Sequence, residues 1–519
     1  MSLYINDDAW CFFANRSGAP WHSPIVETMD EAGLKRHIDY YAVPGVTGIL
    51  FNPNAMRAFF DSRAFEPLWK GLEEGDDGKA RYQGRELETR CGAPEDFATL
   101  CRNVKALFQN VKDPYRFRYD YCRKKGVEMW ISMRMNDVHY ADDPTRIMHG
   151  ELWRKHPEYR RAAYKEKYSF WFSQCLDYGE KAVWDHHFTL VREYFERFEM
   201  DGFELDWMRS PFYFKPGFAE PNCGLLTEFM RGVKHLAREA AGRRGHPVKI
   251  NVRVPSHPEE ALYAGLDVVN WCREGLADMV TPSPYFQTSE SGLPVKLWRR
   301  LLPDGVALLP CLEQHVGSSL PVRMKSTPEI DTGFASSYYQ QGADGIYLFN
   351  HLYRDSINNW ESQRKLYTFL GSACALSRKS RRHVATYHEC MVEGISGRAA
   401  FDDNIPANGS VSVRLNGGSI PAGSESRVLL GTAVPLSRLG GNPAEHRGMH
   451  ARTPARAVAA PGGSAGTECV FRSGRDAPRW RKPDRDHQPE RCGNPPAMGR
   501  NPYSGRRIAC NNGNLGRAS

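Results

Sequence analysis

The stretch DGFELDWMR, residues Asp201 to Arg209, indicates the fold more clearly than any other part of the chain. It opens with an Asp-Gly turn and continues as a short apolar run that carries acids at alternate positions. Because residues two apart on a strand share a face, Glu204 and Asp206 are predicted to point to one side of a buried strand. The apolar residues between them face the other side, so the pattern indicates a parallel strand with two inward acids.

Two acids on the inner face of a buried strand are costly unless they perform chemistry or have partners. In barrels and open α/β sheets, the carboxyl ends of parallel strands carry the active site. Asp206 and Arg209 lie at that end of the predicted strand. The structural alternative is a solvated Asp–Arg pair, and the apolar opposite face of the strand makes it the weaker interpretation.

Length and composition indicate a globular protein with a substantial core. The chain has 519 residues, 41% hydrophobic and 12% aromatic, which suffices for one large domain and a smaller one. The chain contains no run of about 18 apolar residues, so no membrane span is predicted. The N-terminus MSLYINDDAW has no signal-peptide features, which predicts a cytoplasmic protein as written, and a periplasmic or secreted one if the N-terminus is incomplete. Thirteen cysteines without a CxxC pair argue against a disulfide framework and a structural zinc site.

The basic charge of the chain belongs to its C-terminal end. Residues 438 to 519 hold fourteen Arg and one Lys against six acids, a net charge of +9, whereas the whole chain carries +8. The preceding residues are therefore close to neutral. A near-neutral body without a basic stripe argues against a nucleic-acid partner.

Eight apolar runs alternate with helical stretches over residues 1 to 377, which predicts an α/β fold built of right-handed βαβ units. Eight such units most simply close into a (β/α)8 TIM barrel. The polar stretch from Glu73 to Glu86 is expected to be a loop. The predicted strands are Leu3–Asp7, Gly45–Pro53, Val127–Asp137, Asp201–Arg209, Val248–Val254, Ala277–Pro284, Gly305–Gln314 and Asp344–Tyr353.

The composition changes after the barrel. Residues 378 to 437 contain short alternating runs and turn residues, which predict a small, truncated antiparallel β-sandwich. Residues 438 to 519 are rich in Arg, Gly, Pro and Ala and are predicted to be a disordered basic tail. An RNA-binding tail and out-of-frame translation of GC-rich DNA are the two explanations, and the abrupt end of the β pattern favours the second.

Polar side chains at the carboxyl ends of the eight strands are expected to form one ring, because closure of the barrel brings these ends together. Acids, arginines, amides and aromatic rings on one rim suit a sugar, whose hydroxyls need polar partners and whose faces stack on rings. No strand end carries a metal-binding His pair, and no cofactor motif is present. The predicted substrate-binding residues are Asp8, Arg134, Asn136, Asp137, Trp207, Arg209, Arg253, Tyr285, Asn350 and His351.

Two carboxyls on opposite walls are the minimum for hydrolysis of an O-glycosidic bond, one to protonate the leaving oxygen and one to attack or to activate water. Asp206 fits the second role because Arg253 and Arg209 would hold it ionised. Glu313 fits the first, because it ends an apolar run where desolvation raises a carboxyl pKa. Glu204, one layer deeper, is expected to assist as an orienting group.

The sequence also resembles a known family. DGFELDWMR, together with SMRMND at Ser132–Asp137 and HPEYR at His156–Arg160, resembles bacterial glycosyl hydrolase-like barrels related to the family 10 glycosylhydrolase-like group. The similarity covers most of the first 430 residues. It implies a (β/α)8 barrel followed by a β-sandwich, a carbohydrate-active role, and Asp206 as the position that matches a fourth-strand nucleophile. The predicted fifth strand ends in Arg253 where amylase-like enzymes carry a glutamate, so Glu313 follows from the residues alone.

Two other functions are compatible with the same rim. In a non-catalytic glycan-binding barrel, the acids would only accept hydrogen bonds from a sugar. In a metal-assisted lyase or isomerase, Glu204, Asp206 and Glu313 would supply oxygen ligands to Mg²⁺ or Mn²⁺. The distances between the carboxyls discriminate among the three functions.

Overall fold

The computed structural model describes residues 1–14, 28–87, 97–162, 170–285, 288–319, 322–351 and 360–388, and beyond them four short strands. The strands are β1 (Ser2–Asp7), β2 (Gly48–Phe51), β3 (Leu72–Glu74), β4 (Ala80–Tyr82), β5 (Arg85–Glu86), β6 (Glu128–Arg134), β7 (Gly202–Asp206), β8 (Lys249–Pro255), β9 (Met279–Ser283), β10 (Ala307–Leu308), β11 (Cys311–Glu313), β12 (His315–Ser319), β13 (Val322–Lys325), β14 (Gly345–Phe349), β15 (Ser410–Leu415), β16 (Val428–Leu429), β17 (His450–Ala451) and β18 (Thr467–Arg472).

Each described helix follows a barrel strand in the chain. They are α1 (Ala9–Phe13), α2 (Glu31–Tyr41), α3 (Phe97–Asn110), α4 (Pro114–Lys125), α5 (Glu151–Lys155), α6 (Phe170–Ser173), α7 (Lys181–Arg197), α8 (Cys223–Arg244), α9 (Pro258–Tyr263), α10 (Val268–Arg273), α11 (Val295–Leu301), α12 (Pro328–Gln340), α13 (Trp360–Leu370) and α14 (Ala373–Leu376). In the described part of the chain, no helix has the length and apolarity needed to cross a membrane.

A parallel barrel forms the body of the protein. Its hydrogen-bonded order is β10-β9-β8-β7-β6-β2-β1-β14-β11, and every pairing in it is parallel. β10 and β11 are halves of one strand, since only Leu309 and Pro310 separate them; the first half pairs with β9 and the second with β14. Pro310 has no N–H to donate, but its carbonyl accepts the Tyr347 N–H at 3.2 Å. The ring of eight strands therefore closes, which confirms the predicted (β/α)8 barrel.

Two apolar clusters lie on the two sides of the sheet. Inside the barrel, near the amino ends of the strands, one cluster contains Tyr4, Trp130 and Met279. The Trp130 ring lies directly against Gly202, where an added Cβ would come within 2.4 Å of the ring, so only glycine fits at the start of β7. The larger cluster fills the space between sheet and helices and includes the outward-facing Phe203.

The loops contain more regular structure than the sequence predicts. The expected loop from Glu73 to Glu86 is instead part of an antiparallel sheet of three strands, β3, β4 and β5. Its strands are only two or three residues long, too short to show an alternating pattern. A hairpin of β12 and β13 also follows the strand end at Glu313.

The described strands after the barrel are antiparallel. β15 pairs with β18 along six residues, and β16 pairs with β17. β17 and β18 lie within residues 438 to 519, for which the sequence predicts no fixed structure; most of that segment lies outside the described residues. The boundaries of the predicted β domain, at 378 and 437, remain a prediction.

Candidate functional site

The strand register places the predicted acids and arginines at one level of the barrel mouth. Asp206, the last residue of β7, is paired with Arg134 of β6 on one side and with Arg253 of β8 on the other. Glu313 ends β11 and is paired with Phe349 of β14. The carboxyl ends of these strands therefore bring together side chains that are far apart in the sequence.

Arg253 links the two predicted catalytic carboxyls. Its Nη1 donates to Asp206 Oδ1 at 2.9 Å, and its Nη2 lies 3.5 Å from Glu313 Oε1. Nε of the same guanidinium donates to Ser283 Oγ at 2.9 Å, and its central carbon lies 3.5 Å from the centre of the Phe349 ring. The guanidinium is thus held on three edges and on one face, which fixes both carboxyls relative to one cation.

Asp206 is bound by N–H donors and keeps one oxygen available. Oδ1 accepts the backbone N–H of Met208 at 2.9 Å in addition to Arg253. Oδ2 is buried and has no hydrogen-bond partner among the described residues. A buried carboxylate oxygen without a partner is costly, and such atoms concentrate at functional sites.

Glu313 has the properties of a proton donor. Burial raises its pKa to about 7, although the charge of Arg253 and a hydrogen bond from Asn350 Nδ2 at 2.9 Å act against the shift. Its backbone N–H and carbonyl both bond to Ser289 Oγ, at 2.9 and 3.0 Å. Glu313 is therefore fixed by contacts of both its carboxyl and its backbone. Its raised pKa keeps the carboxyl partly protonated near neutral pH.

Glu204 lies one layer below the mouth and is fully bonded. Its Oε1 accepts from Ser132 Oγ at 2.6 Å and Tyr347 OH at 2.8 Å, and its Oε2 accepts from Asn251 Nδ2 at 2.6 Å. Burial and, next, the charge of Asp206 raise its pKa to about 7. These contacts engage both oxygens of Glu204 and hold its carboxyl one layer below the mouth.

A second ionic group borders the first. Arg134 lies 2.7 Å from Asp8 and donates to Asp137 Oδ2 at 3.1 Å. His139 Nδ1 lies 2.7 Å from Asp137 Oδ1, and Arg209 lies 3.2 Å from the other nitrogen of that ring. Burial would raise the pKa of Asp137, but His139 and the two arginines hold it well below its usual range. Asp8, His139 and Arg209 remain partly exposed, so they form the solvent side of the mouth.

Two of the predicted substrate-binding residues have other contacts. Asn136 uses its amide entirely on backbone groups, since it donates to the carbonyls of Leu176 and Phe212 at 2.8 and 2.9 Å and accepts the Leu176 N–H at 2.9 Å. Trp207 is fully buried outside the sheet and packs on Tyr213. From these positions they brace the loops around the mouth.

The remaining predicted residues lie at the mouth. Tyr285 is half-buried and contacts the Phe172 ring edge-on at 5.7 Å. His351 is 2% exposed, and burial lowers its pKa to about 4, so the ring is neutral. Asn350 has a left-handed φ of 57°, a conformation that asparagine adopts more readily than most other residues except glycine. Ser210, just beyond β7, has a similar φ of 60°.

The layer of polar residues around Glu204 was not predicted, although the strands contain a signal for it. Five barrel strands each carry a pair of polar residues two positions apart, so both residues of a pair point into the barrel. The first residue of each pair lies one layer below the second. The pairs are Asn6 and Asp8, Ser132 and Arg134, Glu204 and Asp206, Asn251 and Arg253, and Thr281 and Ser283.

The acids of the mouth do not form a metal-binding group. Within the described ranges, the only set of three potential ligands that meet at metal-binding spacing is His257, Glu290 and His388. Between Asp206 and Glu313 lies the Arg253 guanidinium, whose positive charge opposes a divalent cation. This geometry does not favour the metal-assisted lyase or isomerase.

Comparisons with known proteins give similarity at the level of structure. No family model matches the chain, and no curated protein matches its sequence. The chain is similar to α-L-fucosidase isoenzyme 2 from Paenibacillus thiaminolyticus, with 11% identity and a TM-score of 0.40 over 72% of this chain and 49% of that one. It thus spans about half the length of the fucosidase.

Two other solved structures are matched over more of their length. The endo-β-1,4-mannanase from Thermotoga petrophila has 11% identity and a TM-score of 0.38, over 80% of this chain and 83% of that one. An α-amylase from Geobacillus thermoleovorans has 10% identity and a TM-score of 0.36, over 80% and 86%. The resemblance to the family 10 glycosylhydrolase-like group remains a prediction.

Proposed function

We propose that the protein hydrolyses O-glycosidic bonds at the mouth of the barrel, with Glu313 as proton donor and Asp206 as nucleophile or as base for water. The observation that carries this proposal is the contact of one buried guanidinium, Arg253, with both carboxyls. One of them is bound by N–H donors and the other has a pKa of about 7. Glycoside hydrolysis requires such a pair with different roles.

The chemistry follows from the two carboxyls. Glu313 gives its proton to the glycosidic oxygen as the bond between that oxygen and the anomeric carbon breaks. The free Oδ2 of Asp206 attacks the anomeric carbon, or removes a proton from the water that attacks it. The positive charge that develops on the sugar is stabilised by the Asp206 carboxylate, and Glu204 holds that side of the barrel from below.

Substrate access requires movement at the mouth, because Asp206 is 0% exposed and Glu313 is 2% exposed. The mouth side chain best placed to move is Arg209, which is 16% exposed: its short contact is with the partly exposed His139, at 3.2 Å, and its contacts with Asp137 and the Phe349 ring are longer, at 3.9 and 5.7 Å. In this proposal a sugar displaces Arg209, which then binds its hydroxyls together with the partly exposed Asp8.

A glycan-binding barrel without catalysis is the second candidate. The low exposure of the two carboxyls favours it, since acids neutralised by Arg253 can serve as the floor of a binding site. The two functions differ in whether bound sugar is cleaved.

The deciding experiment is a screen of the purified full-length protein against aryl glycosides and against algal and plant polysaccharides, with release of aryl alcohol or reducing ends as readout. We expect hydrolysis of at least one substrate by the wild type and none by the double variant Asp206→Asn, Glu313→Gln. The control is Asp344→Asn, an acid at the opposite end of the barrel, which should keep the activity. Sugar binding without cleavage in every case would overturn the proposal in favour of the binding barrel.

A further inference from the structure

A cluster of two histidines and a glutamate, which the proposed reaction does not use, lies at loops that follow the carboxyl ends of the barrel strands. His257 precedes α9 in the loop after β8, Glu290 lies in the loop after β9, and His388 lies in the segment after α14. These three residues come together because the last segment is held on the barrel by hydrogen bonds. Thr386 and Ser291 exchange two bonds, at 2.8 and 3.1 Å.

The ring nitrogens of both histidines face the same carboxylate oxygen. His257 Nε2 lies 3.1 Å from Glu290 Oε1, and His388 Nδ1 lies 2.8 Å from it. The three ligand atoms lie within 4.8 Å of one another. Neighbouring ligand atoms of a tetrahedral zinc ion are about 3.3 Å apart for bonds of roughly 2.0–2.1 Å, so an ion needs only a small outward movement of the rings.

The outer nitrogens of the two rings have carboxylate neighbours. His388 Nε2 lies 2.7 Å from Glu260 Oε1, and His257 Nδ1 lies 3.6 Å from Glu259 Oε1. Metal-binding histidines characteristically donate their other N–H to a carboxylate, because this bond fixes the tautomer and leaves the inner nitrogen with its lone pair. The arrangement of His388 between Glu290 and Glu260 has this form.

A second observation points independently to a ligand. Glu290 is 1% exposed, and its Oε2 has no hydrogen-bond partner among the described residues. A buried carboxylate oxygen left unbound is unfavourable, whereas coordination by a cation satisfies it. Hydrogen bonds within the cluster therefore do not account for all of its atoms.

We propose that His257, Glu290 and His388 bind one divalent transition-metal ion of the zinc type, which fastens the segment after α14 to the barrel. Two imidazoles and a carboxylate suit zinc and its neighbours and do not suit Mg²⁺ or Ca²⁺, which prefer oxygen ligands. The ion would also stiffen the loop around Ser289, whose Oγ holds the backbone of Glu313. This site is independent of whether the mouth hydrolyses sugars.

The test is zinc binding by the untagged full-length protein, measured by elemental analysis after equilibration with zinc and desalting. We expect about one more zinc ion per chain in the wild type than in His257→Gln or His388→Gln, and a zinc affinity lower by about 10- to 100-fold in Glu260→Gln. The matched control is His235→Gln on α8, a histidine that is 72% exposed, which should bind as the wild type does.

Thermal unfolding gives a second readout that separates metal binding from misfolding. Zinc should raise the Tm of the wild type and of His235→Gln by a few degrees, about 2–5 °C, and should leave that of His388→Gln unchanged. Equal zinc content in the wild type and in the double variant His257→Gln, His388→Gln would overturn the proposal. So would a folded wild type that retains no zinc, which would leave a glutamate paired with two histidines.

Discussion

The two ends of the barrel use the same residue types in different ways. At the amino ends, three aspartates each precede a strand and accept the backbone N–H of the second residue of a neighbouring strand, and each also pairs with a lysine or arginine. The hydrogen bonds are Met129 N–H to Asp201 at 2.9 Å, Ile250 N–H to Asp278 at 2.7 Å and Leu308 N–H to Asp344 at 2.9 Å, and the cations are Arg123, Lys234 and Arg299.

At the carboxyl ends, the acids are buried and pair with buried arginines. Asp206 and Arg253 are 0% and 2% exposed, and Asp206 keeps one oxygen without a partner among the described residues. A partly exposed acid that bonds to backbone serves the stability of strand pairing, whereas a fully buried ion pair with an unused oxygen is costly to fold and suited to chemistry. Burial and bonding, and not residue type, therefore separate the two roles.

The largest effect is expected when the two ends of β7 are compared. Asp206→Asn removes the negative charge opposite the developing cation, so turnover should fall by roughly 10³-fold or more on a substrate found in the screen. Asp201→Asn, at the other end, should keep turnover and lower the free energy of unfolding by about 1–2 kcal/mol, because it weakens one backbone hydrogen bond. Initial rates and thermal unfolding measure both. Equal turnover in the two variants would contradict a catalytic role for Asp206.

Glu313→Gln tests the assignment of the proton donor. Loss of a general acid should lower the rate by about 10²- to 10⁴-fold on substrates with poor leaving groups. On aryl glycosides with good leaving groups the loss should be much smaller, because these need no protonation. The measurement is the loss of rate on substrates with poor leaving groups divided by the loss on substrates with good leaving groups. An identical loss on both substrate types would exclude Glu313 as the acid.

The two kinds of ion pair should differ in their contribution to stability. Arg253→Met leaves Asp206 buried without its cation and should lower the free energy of unfolding by about 3–5 kcal/mol. Arg123→Met, which removes an exposed partner of Asp201, should lower it by less than about 1 kcal/mol. Denaturant unfolding of both variants checks the difference. Similar losses would show that the mouth pair is no more buried in solution than the other.

The effect of pH on the rate should be smaller than that of substituting either carboxyl. With its pKa at about 7, Glu313 is protonated below neutrality, so kcat/KM should fall about tenfold per pH unit above 7. The free energy of unfolding should also fall as the pH rises. The folded state binds this proton more tightly than the unfolded state, where the glutamate has its ordinary pKa of 4.5, so the contribution to the free energy of unfolding falls as pH rises from about 4.5 to 7.

Glu313→Gln supplies the control for both measurements. The difference in unfolding free energy between wild type and variant should shift against the wild type across this pH range and should level off above it. A constant difference from pH 4 to 8 would contradict a raised pKa for Glu313.

Local sequence patterns were sufficient to predict the barrel and the strand ends at which its acids and arginines lie. DGFELDWMR and the other apolar runs ending in polar residues predicted eight parallel strands, which the structure has, because strand periodicity is a local property that short-range patterns reveal. The same patterns placed Asp206, Arg253 and Glu313 at strand ends. The short strands β3, β4 and β5 could not be predicted, since two or three residues carry no period.

Which of these residues meet is a property of the tertiary structure. The shared contact of Arg253 depends on the register of three strands, and the sequence does not specify which edge of a guanidinium faces which acid. Asn136 and Trp207 contact loop residues and not the mouth, because the loops that contain Leu176 and Tyr213 fold back over them. Glu290 is separated from His257 by 33 residues and from His388 by 98, so their cluster arises only when the segment after the barrel closes onto it. Contacts over such separations are set by packing, because nothing in a local pattern of residues records which distant residue will be the neighbour.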